Sequence, residues 1–256
     1  MGWSERQVAM LDEMGIRVWS PPDTAPPVEP VPAARVAAST PVPAAAMREA
    51  PVAVLQAEPG SRPLHVDTMG WPELREAVAG CTACKLCTGR KQTVFGVGNE
   101  RAHWMIVGEA PGEQEDLKGE PFVGKSGQLL DKMLRAVGLT RGDAPAEQQV
   151  YIANTVKCRP PGNRNPEPAE LAQCEPFLIR QIALVQPRII LAMGRFAVQS
   201  LLRSTEPIGR LRGRVHQYQG VPLVVTYHPA YLLRNPEDKS RSWDDLCLAR
   251  EVLQPR

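Results

Sequence analysis

Four short segments of this sequence follow apolar runs that are typical of β-strands, and three of them carry side chains suited to recognition or chemistry. The segments are residues 108–112, Asn154, residues 194–195 and residues 228–229. Ligands bind beyond the carboxyl ends of the strands in an open parallel sheet. At such an edge Glu109, Asn154 and His228 can accept hydrogen bonds, donate them and transfer protons. The sequence predicts that these segments meet at one site, although each alone is more typical of a turn.

The cysteines are a second group of residues that can do chemistry, and they are Cys81, Cys84, Cys87, Cys158, Cys174 and Cys247. The Cys-x-x-Cys spacing of the first two places both thiolates on one tight turn, where they can bind a metal ion or one edge of a cluster. The third extends this toward a ferredoxin-like pattern, but Lys91 stands where a fourth cysteine would follow. The set is therefore completed from elsewhere, by Cys158 and Cys174, and the spacing leaves both zinc and an iron–sulfur cluster open. We expect Cys247 to be an ordinary core residue.

Residues 119–126 match the phosphate-binding pattern Gly-x-x-x-x-Gly-Lys-Ser letter for letter. A P-loop leaves a buried strand directly, so that its backbone amides surround the phosphates as the next helix begins. Here the apolar strand ends at Gly108, ten residues separate it from the pattern, and Pro121 removes one of the amides that the loop needs. No later apolar strand ends in the aspartate that holds Mg²⁺ in such enzymes. Nucleotide hydrolysis therefore stays only an alternative for this chain.

The elements that must position these residues alternate between strand and helix. Apolar runs of β type cover residues 104–107, 150–153, 189–192 and 221–227, and helical patterns cover residues 129–137, 168–185 and 196–202 between them. The order β-α-β-α-β-α-β predicts a parallel sheet with helices on both faces.

The composition separates this domain from the residues that precede it. Of the 26 prolines in the 256 residues, 11 lie between residues 20 and 65, together with 11 alanines. Because proline and alanine bury little surface, we predict a disordered, extended linker over residues 20–65 and one folded domain over residues 66–256. Residues 1–19 are predicted to form a short amphipathic helix, which either frays or docks on a protein partner.

Charge and hydropathy exclude several classes of protein. The net charge of +2 indicates no global basic field, although phosphate binding needs only a local patch. No apolar run approaches the roughly 20 residues that a membrane helix requires. The first residues also lack the apolar core of a signal peptide. A membrane protein and a secreted disulfide scaffold are therefore not expected.

Three stretches of the chain resemble the motifs of family 4 uracil-DNA glycosylases. The first is Val107-Gly-Glu-Ala-Pro-Gly-Glu-Gln-Glu-Asp116 with Gly119-Glu-Pro-Phe-Val-Gly-Lys-Ser-Gly127. The others are Asn154-Thr-Val-Lys-Cys-Arg-Pro-Pro-Gly-Asn163 and His228-Pro-Ala-Tyr-Leu-Leu-Arg234. The resemblance covers residues 72–253 and implies an α/β fold of three layers, with a central four-stranded parallel sheet between helices. It also implies removal of uracil from DNA.

The resemblance further implies a metal site and a uracil site. The cluster would be a structural 4Fe–4S cluster, and its ligands would be Cys81, Cys84, Cys158 and Cys174, with Cys87 as a spare. Uracil is flipped out of the duplex, stacks on Phe122 and pairs with Asn154. His228 then donates to uracil O2 as negative charge develops there.

The catalytic carboxylate is less well defined by the resemblance. Ala110 stands where the best-known uracil-DNA glycosylases have the aspartate that activates water, and family 4 enzymes have alanine or glycine there. The role therefore falls to Glu109, Glu115 or Asp116, and we expect the first two before the third. Glu115 has an alternative role, which is to exclude the methyl group of thymine.

We expect DNA contacts from local positive charge and from one apolar wedge. The expected wedge is Leu232 or Leu233, which would fill the gap left by the flipped base, with Arg234 on a phosphate. The other arginines that we expect near DNA are Arg159, Arg164, Arg203, Arg210, Arg212 and Arg214.

The leading hypothesis is a monofunctional uracil-DNA glycosylase that hydrolyses the N-glycosidic bond and leaves an abasic site for base excision repair. Its partner would be uracil-containing DNA, and we expect a cytoplasmic, nucleoid-associated monomer. Two alternatives stay open. One is a non-catalytic, metal-stabilised DNA-binding or adaptor module, and the other is a P-loop nucleotide hydrolase.

Overall fold

The computed structural model describes Gly60 and residues 64–253. The helix predicted over residues 1–19 and nearly all of the linker predicted over residues 20–65 lie outside the described residues. Both stay predictions. In the described part of the chain, no helix is long and apolar enough to cross a membrane.

The described chain alternates between strands and helices, as the apolar pattern predicts. The strands are β1 (Val97–Gly98), β2 (Trp104–Gly108), β3 (Val150–Asn154), β4 (Ile189–Met193), β5 (Val215–Tyr218) and β6 (Val221–Thr226). The helices are α1 (Trp71–Ala79), α2 (Glu113–Lys118), α3 (Lys125–Ala136), α4 (Pro168–Val185), α5 (Arg195–Leu202), α6 (Ile208–Leu211), α7 (Pro229–Arg234) and α8 (Lys239–Leu253). Short 3-10 turns cover Val66–Thr68, Lys85–Thr88, Pro161–Asn163 and Pro236–Asp238.

The strands form one sheet in the order β1-β3-β2-β4-β6-β5. Its four central strands are parallel, which confirms the predicted core of the sheet. Two short antiparallel strands extend it, because β1 pairs with β3 and β5 pairs with β6. Neither edge strand was predicted from the sequence.

Every residue of β2, β3 and β4 is buried, because helices cover both faces of the sheet. Side chains that alternate along each strand therefore enter two separate cores. One core joins the sheet to α3, α7 and α8, and the other joins it to α4, α5 and α6. A third cluster packs α1 against α4. These layers confirm the three-layer α/β/α architecture.

The register of the parallel strands sets the position of the polar residues. Gly108 at the end of β2 pairs with Asn154 at the end of β3. Thr226 at the end of β6 pairs with Met193 at the end of β4. The four central strands thus end at the same edge of the sheet, and the residues that follow them share one region of space.

Candidate active site

A cavity of about 760 Å³ lies at the carboxyl edge of the sheet. Residues from all four strand ends line it, and among them are Glu109, Ala110, Asn154, Gly194, Arg195 and His228. Phe122 and Glu115 reach the same cavity from the segment between β2 and α3. The structure therefore brings together the segments that the sequence predicts to meet.

Asn154 lies in the wall of this cavity with its side chain almost fully buried. Its side chain is 2% exposed, and its Oδ1 atom has no hydrogen-bond partner in the described residues. A buried carbonyl oxygen without a partner costs about 1–3 kcal/mol. The side chain is therefore held ready for a ligand that donates a hydrogen bond.

A buried hydrogen-bond network holds the backbone of Asn154 in position. The ammonium of the fully buried Lys157 donates to the backbone carbonyl of Asn154 at 2.8 Å and to Oε1 of Gln181 at 2.6 Å. Gln181 in turn donates to the hydroxyl of Tyr151 and the carbonyl of Phe95. Because buried polar groups with satisfied partners are rigid, this network fixes the end of β3.

His228 is a neutral imidazole with a defined tautomer. The backbone N–H of Ala230 donates to its Nδ1 atom at 3.1 Å, so the ring proton is on Nε2. Burial lowers the pKa of His228 to about 4, and the positive charge of Arg234 lowers it further in the same direction. The ring therefore presents an N–H donor at neutral pH without carrying a charge.

Phe122 stacks on the imidazole of His228 with ring centroids 5.3 Å apart. Its backbone φ is +56°, a region that non-glycine residues seldom adopt. Gly108 permits the close approach of its neighbours, because a Cβ there would lie 2.7 Å from the Phe122 ring and 2.4 Å from Asn154 Oδ1. The Phe122 ring and the Asn154 carboxamide are thus packed against one backbone position that tolerates no side chain.

Glu109 lies directly beyond β2, and its carboxylate faces the amino end of α5. Its Oε1 atom is 3.5 Å from the backbone nitrogen of Phe196. Burial raises the pKa of Glu109 above its usual 4.5, while the backbone amides of residues 195 and 196 and the charges of Arg195 and Arg234 oppose that rise. Its backbone carbonyl accepts from the amide of Val156. Glu109 is therefore a half-buried carboxylate held at the rim of the cavity.

Glu115 makes hydrogen bonds to three backbone amides. Its Oε1 atom accepts from Val123 at 2.9 Å and Gly124 at 3.0 Å, and its Oε2 atom accepts from Gly112 at 3.1 Å. The amides at residues 123 and 124 belong to the pattern that resembles a P-loop. They bind a carboxylate of the same chain in place of a phosphate, so this geometry gives the nucleotide-hydrolase alternative no support. It also gives Glu115 a positioning role, since both carboxylate oxygens are already engaged.

Asp116, the weakest of the three predicted carboxylates, points away from the cavity. It is 2% exposed, and both of its oxygens accept from the backbone amide of Lys91, at 3.0 and 3.1 Å. Its carboxylate connects α2 to the segment that follows the first cysteines. Asp116 is not among the residues that line the cavity.

Two of the residues predicted to contact DNA are engaged within the protein. Leu232 is fully buried in the core beneath α7, whereas Leu233 is 46% exposed, so only the second of the two leucines can act as a wedge. Arg212 forms a bidentate ion pair with the fully buried Asp245, at 3.0 and 3.1 Å. Its guanidinium holds α8 against the loop before β5 and is not free for a phosphate.

The remaining arginines fall into two groups. Arg164 and Arg203 form ion pairs at 2.6 Å with Glu170 and Glu175, and Arg159 donates to Asn163. Arg210, Arg214 and Arg234 are exposed, and no ion pair holds them within the described residues. Of these three, Arg234 lines the cavity.

Two aromatic residues of the cavity were not predicted from the sequence. Tyr227 and Tyr231 both line the cavity, and their rings stack with centroids 5.0 Å apart. The hydroxyl of Tyr231 donates to Asp238 at 2.7 Å. Their proximity to His228 along the chain was the available signal, since residues that flank a strand end tend to share its site.

The predicted cysteine ligands also come together, at a second cavity. Its walls include Val78, Phe177 and Ala83, and its cysteines are Cys81, Cys84, Cys87, Cys158 and Cys174. Arg90 donates to Cys158 Sγ at 3.0 Å, and the backbone amide of Lys157 donates to Cys174 Sγ at 3.2 Å. Cys247 is not in this group.

Burial determines the acidity of these thiols. It raises the pKa of Cys158 to about 11 and that of Cys174 to about 12, and it raises the pKa of Cys84 as well. A bound metal would replace these thiol protons. Within residues 64–253 no group of three or more histidine, cysteine, aspartate or glutamate side chains is arranged to hold a single metal ion.

Known proteins similar to this chain share most of the described domain. Residues 95–248 match the family model described as the uracil DNA glycosylase superfamily. The type-4 uracil-DNA glycosylase of Archaeoglobus fulgidus is 42% identical over 62% of this chain and 81% of its own length. That of Pyrobaculum aerophilum is 42% identical over 70% of this chain and 93% of its own length, and that of Thermotoga maritima is 44% identical over 65% and 84%.

Proposed function

This chain belongs to the uracil DNA glycosylase superfamily, and we propose that it is a type-4 enzyme that hydrolyses the N-glycosidic bond of uracil in DNA. The enzyme is monofunctional and leaves an abasic site for base excision repair. Its partner is uracil-containing DNA, and it works where that DNA is, in the cytoplasm at the nucleoid.

The observation that carries this proposal is the buried, unpartnered oxygen of Asn154. Uracil presents an acceptor at O4 beside a donor at N3–H, and a carboxamide presents the complementary pair. Asn154 Oδ1 accepts from N3–H while Nδ2 donates to O4. Cytosine offers a donor and an acceptor in the opposite order, so an amide of fixed orientation rejects it.

The tautomer of His228 supports its role toward uracil O2. The electrons of the breaking glycosidic bond move into the uracil ring, and negative charge develops on O2. An Nε2–H donor that is already oriented stabilises this charge without reorganisation. Because Nδ1 is held by the amide of Ala230, the imidazole keeps that orientation through the reaction.

Phe122 and Ala110 complete the substrate contacts. Phe122 offers its aromatic ring to the extruded base, and base–aromatic stacking is worth about 1–3 kcal/mol. The small side chain of Ala110 leaves room at the rim for the sugar or for the attacking water. Glu115 positions Phe122 by binding the amides of the next two residues.

Glu109 is the carboxylate that we assign to the sugar side of the reaction. The sugar acquires positive charge as the bond to uracil breaks, and a nearby carboxylate stabilises that charge. The same group can orient a water molecule for attack on the sugar carbon. We assign it rather than Glu115 because the amide of Phe196 reaches its Oε1 only at 3.5 Å, whereas three backbone amides bind Glu115 at 2.9–3.1 Å.

The DNA-binding surface that we propose surrounds the mouth of the cavity. Arg210 and Arg214 are exposed near it, Arg234 lines its rim, and Leu233 is the exposed apolar side chain on the same helix. Leu233 fills the space in the duplex that the flipped base leaves. The corrected set therefore omits Arg212 and Leu232.

We further propose that Cys81, Cys84, Cys158 and Cys174 hold a 4Fe–4S cluster. The supporting observations are that all four line one largely apolar cavity and that two of their sulfurs accept N–H bonds. A cluster of this kind supplies a cross-link between chain segments that are distant in sequence. The ligands tie the segment after α1 to the loop after β3 and to α4. Cys87 lines the same cavity and stays outside the ligand set.

The test of the activity is base release from an oligonucleotide with a single uracil, followed by alkaline cleavage at the abasic site. We expect cleavage by the parent enzyme and a loss of at least about 100-fold for Asn154→Ala, because one buried charge-stabilising or base-pairing contact is worth up to about 3 kcal/mol. Asn99→Ala, outside the cavity, serves as the matched control and should retain activity. Tight DNA binding without any base release by iron-replete protein would support the adaptor alternative.

The test of the cluster is the iron content and the absorbance near 400 nm of purified protein. Cys174→Ser should lose both signals and lower the melting temperature, while Cys247→Ser should keep them. Zinc without iron in the parent protein would contradict the assignment of an iron–sulfur cluster.

A further inference from the structure

Three arginines line the rim of the active-site cavity, and they differ in whether an acidic side chain forms an ion pair with them. Arg164 is ion-paired with Glu170 at 2.6 Å and with Glu167 at 3.4 Å. Arg195 and Arg234 have no ion pair with any described residue, and both are exposed. The cavity mouth therefore carries two guanidinium groups that are available to an anion.

The position of Arg195 is fixed by its neighbours. It follows Gly194, whose φ is +90° and where a Cβ would lie 2.4 Å from Glu109 Oε1 and 3.1 Å from the Cβ of His228. The Gly194 backbone that leads into Arg195 therefore lies against the two residues that act on the glycosidic bond, and the backbone amide of Arg195 hydrogen-bonds Glu109. Its guanidinium lies over the ring of Phe196, 4.8 Å from the centroid, which restrains it at the rim.

The substrate supplies an anion on each side of the reacting nucleotide. A flipped nucleotide remains joined to the strand by one phosphate on its 5′ side and one on its 3′ side. The cavity of about 760 Å³ lies in the range that encloses a molecule larger than a base, so it admits the sugar as well. Both phosphates then lie at the mouth, where the two unpaired arginines are.

We propose that Arg195 binds one of the two phosphates that flank the flipped uridine, and that Arg234 binds the other. The contact is charge-assisted and can be bidentate. It positions the sugar between Glu109 and His228, because Arg195 directly follows Gly194, which lies against both. This inference rests on the proposed function, and it adds a DNA contact at a residue outside the arginine cluster before β5.

A different role for Arg195 must be distinguished from this one. The charge of Arg195 also acts on the carboxylate of Glu109, and it could serve only to keep that group ionised. Such a role depends on Glu109 and not on the DNA backbone. Replacing a single phosphate with a neutral methylphosphonate separates the two roles, because it removes the DNA charge and leaves the enzyme unchanged.

The experiment measures kcat/KM for uracil release by the parent, Arg195→Gln and Arg234→Gln on three oligonucleotides. One is unmodified, one has a methylphosphonate on the 5′ side of the uridine, and one has it on the 3′ side. On the unmodified strand we expect Arg195→Gln to lose about 10- to 100-fold, the value of one charged hydrogen-bonded contact. On one of the two neutral-phosphate strands the same variant should match the parent within about twofold.

Arg188→Gln is the matched control. Arg188 is exposed and precedes β4, at the opposite end of the sheet from the cavity, so its loss should change none of the three rates. The salt dependence of DNA binding gives a second measure. Arg195→Gln should reduce the slope of log affinity against log salt by about 1, and Arg188→Gln should leave it unchanged.

The outcomes separate the inference from the proposed function. A parent enzyme that releases no uracil from the unmodified strand overturns the proposed function itself. An active parent, with an Arg195→Gln loss that is equal on all three strands, overturns the phosphate contact and supports a role through Glu109. An Arg195→Gln variant as active as the parent on every strand overturns both roles.

Discussion

Replacement of Glu115 tests whether a carboxylate of the chain itself occupies the loop that resembles a P-loop. The three amides that it binds lie at 2.9–3.1 Å, and hydrogen bonds to a charged group contribute about 1.5–3 kcal/mol each. Since the amides at residues 123 and 124 are partly exposed and water can replace some of the lost bonds, we take the low end of that range. Glu115→Ala should then lower the free energy of unfolding by about 4 kcal/mol. That loss corresponds to about 10 °C in Tm for a domain of this size.

Glu115→Gln separates charge from shape. The amide of glutamine keeps one acceptor oxygen for the amides of Val123 and Gly124, but its NH₂ group then faces the N–H of Gly112. We expect a loss of about 2 kcal/mol in stability, roughly half that of the alanine variant. Because the loop sets the unusual backbone of Phe122, we also expect kcat/KM for uracil release to fall by about 10-fold.

The assays are urea unfolding followed by fluorescence, and uracil release at a temperature where both variants are folded. Glu113→Gln is the control, since Glu113 is exposed two residues away on α2 and does not bind these amides. The reasoning is refuted if Glu115→Ala unfolds at the same urea concentration as the parent and keeps its rate. It is also refuted if Lys125→Ala removes an ATPase activity that the parent has, because the loop would then bind phosphate.

Further predictions concern the histidine, the second carboxylate, the loop arginines and the exposed leucine. The pKa of His228 is about 4 in the folded protein and about 6.5 in the unfolded chain, so between these pH values only the unfolded chain binds a proton at this residue. The free energy of unfolding is therefore unaffected above pH 6.5 and falls by about 3 kcal/mol by pH 4. His228→Gln should therefore show a smaller acid loss in urea unfolding, and an unchanged loss would contradict the burial of a neutral ring. Glu109 must be ionised to act, and because burial raises its pKa, the acid limb of kcat/KM should lie above pH 4.5. If the same limb persists in the residual activity of Glu109→Gln, another group is responsible for it. Arg212→Met leaves Asp245 buried and unpaired and should cost about 3–5 kcal/mol of stability, whereas Arg214→Gln should weaken DNA binding without a change in Tm. Leu233→Ala should reduce uracil release from duplex DNA more than from single strands, because only the duplex needs a wedge; equal losses on both would argue against the wedge.

The sequence was most informative about elements whose residue types follow directly from burial or from their position at a strand end. The runs at residues 104–107, 150–153 and 189–192 are apolar at every position, which is typical of short strands buried on both faces. The polar residues that end these runs are local in the sequence, so their position at one edge of the sheet follows from the order of elements. The order of elements also brings the later Cys158 and Cys174 to the cavity that Cys81 and Cys84 line.

The edge strands show where the pattern becomes too weak. β1 has only two residues, and β5 alternates between exposed and half-buried positions. Neither makes an apolar run that stands out from a loop. Their antiparallel pairing depends on the neighbouring strand, which a local pattern does not include.

What the sequence determined by itself is the parallel sheet, the set of polar residues at its carboxyl edge and the group of cysteines. Only the tertiary structure decided which of the charged and apolar candidates are free to act. Arg212 is engaged by Asp245, 33 residues away, and Asp116 is engaged by the amide of Lys91, 25 residues away. Leu232 and Leu233 are adjacent on a six-residue helix, and only its packing on the sheet decides which of them is buried. The physical reason is the same in each case: a type of side chain fixes what it can bind, but its partner comes from a distant part of the chain that folding alone brings near.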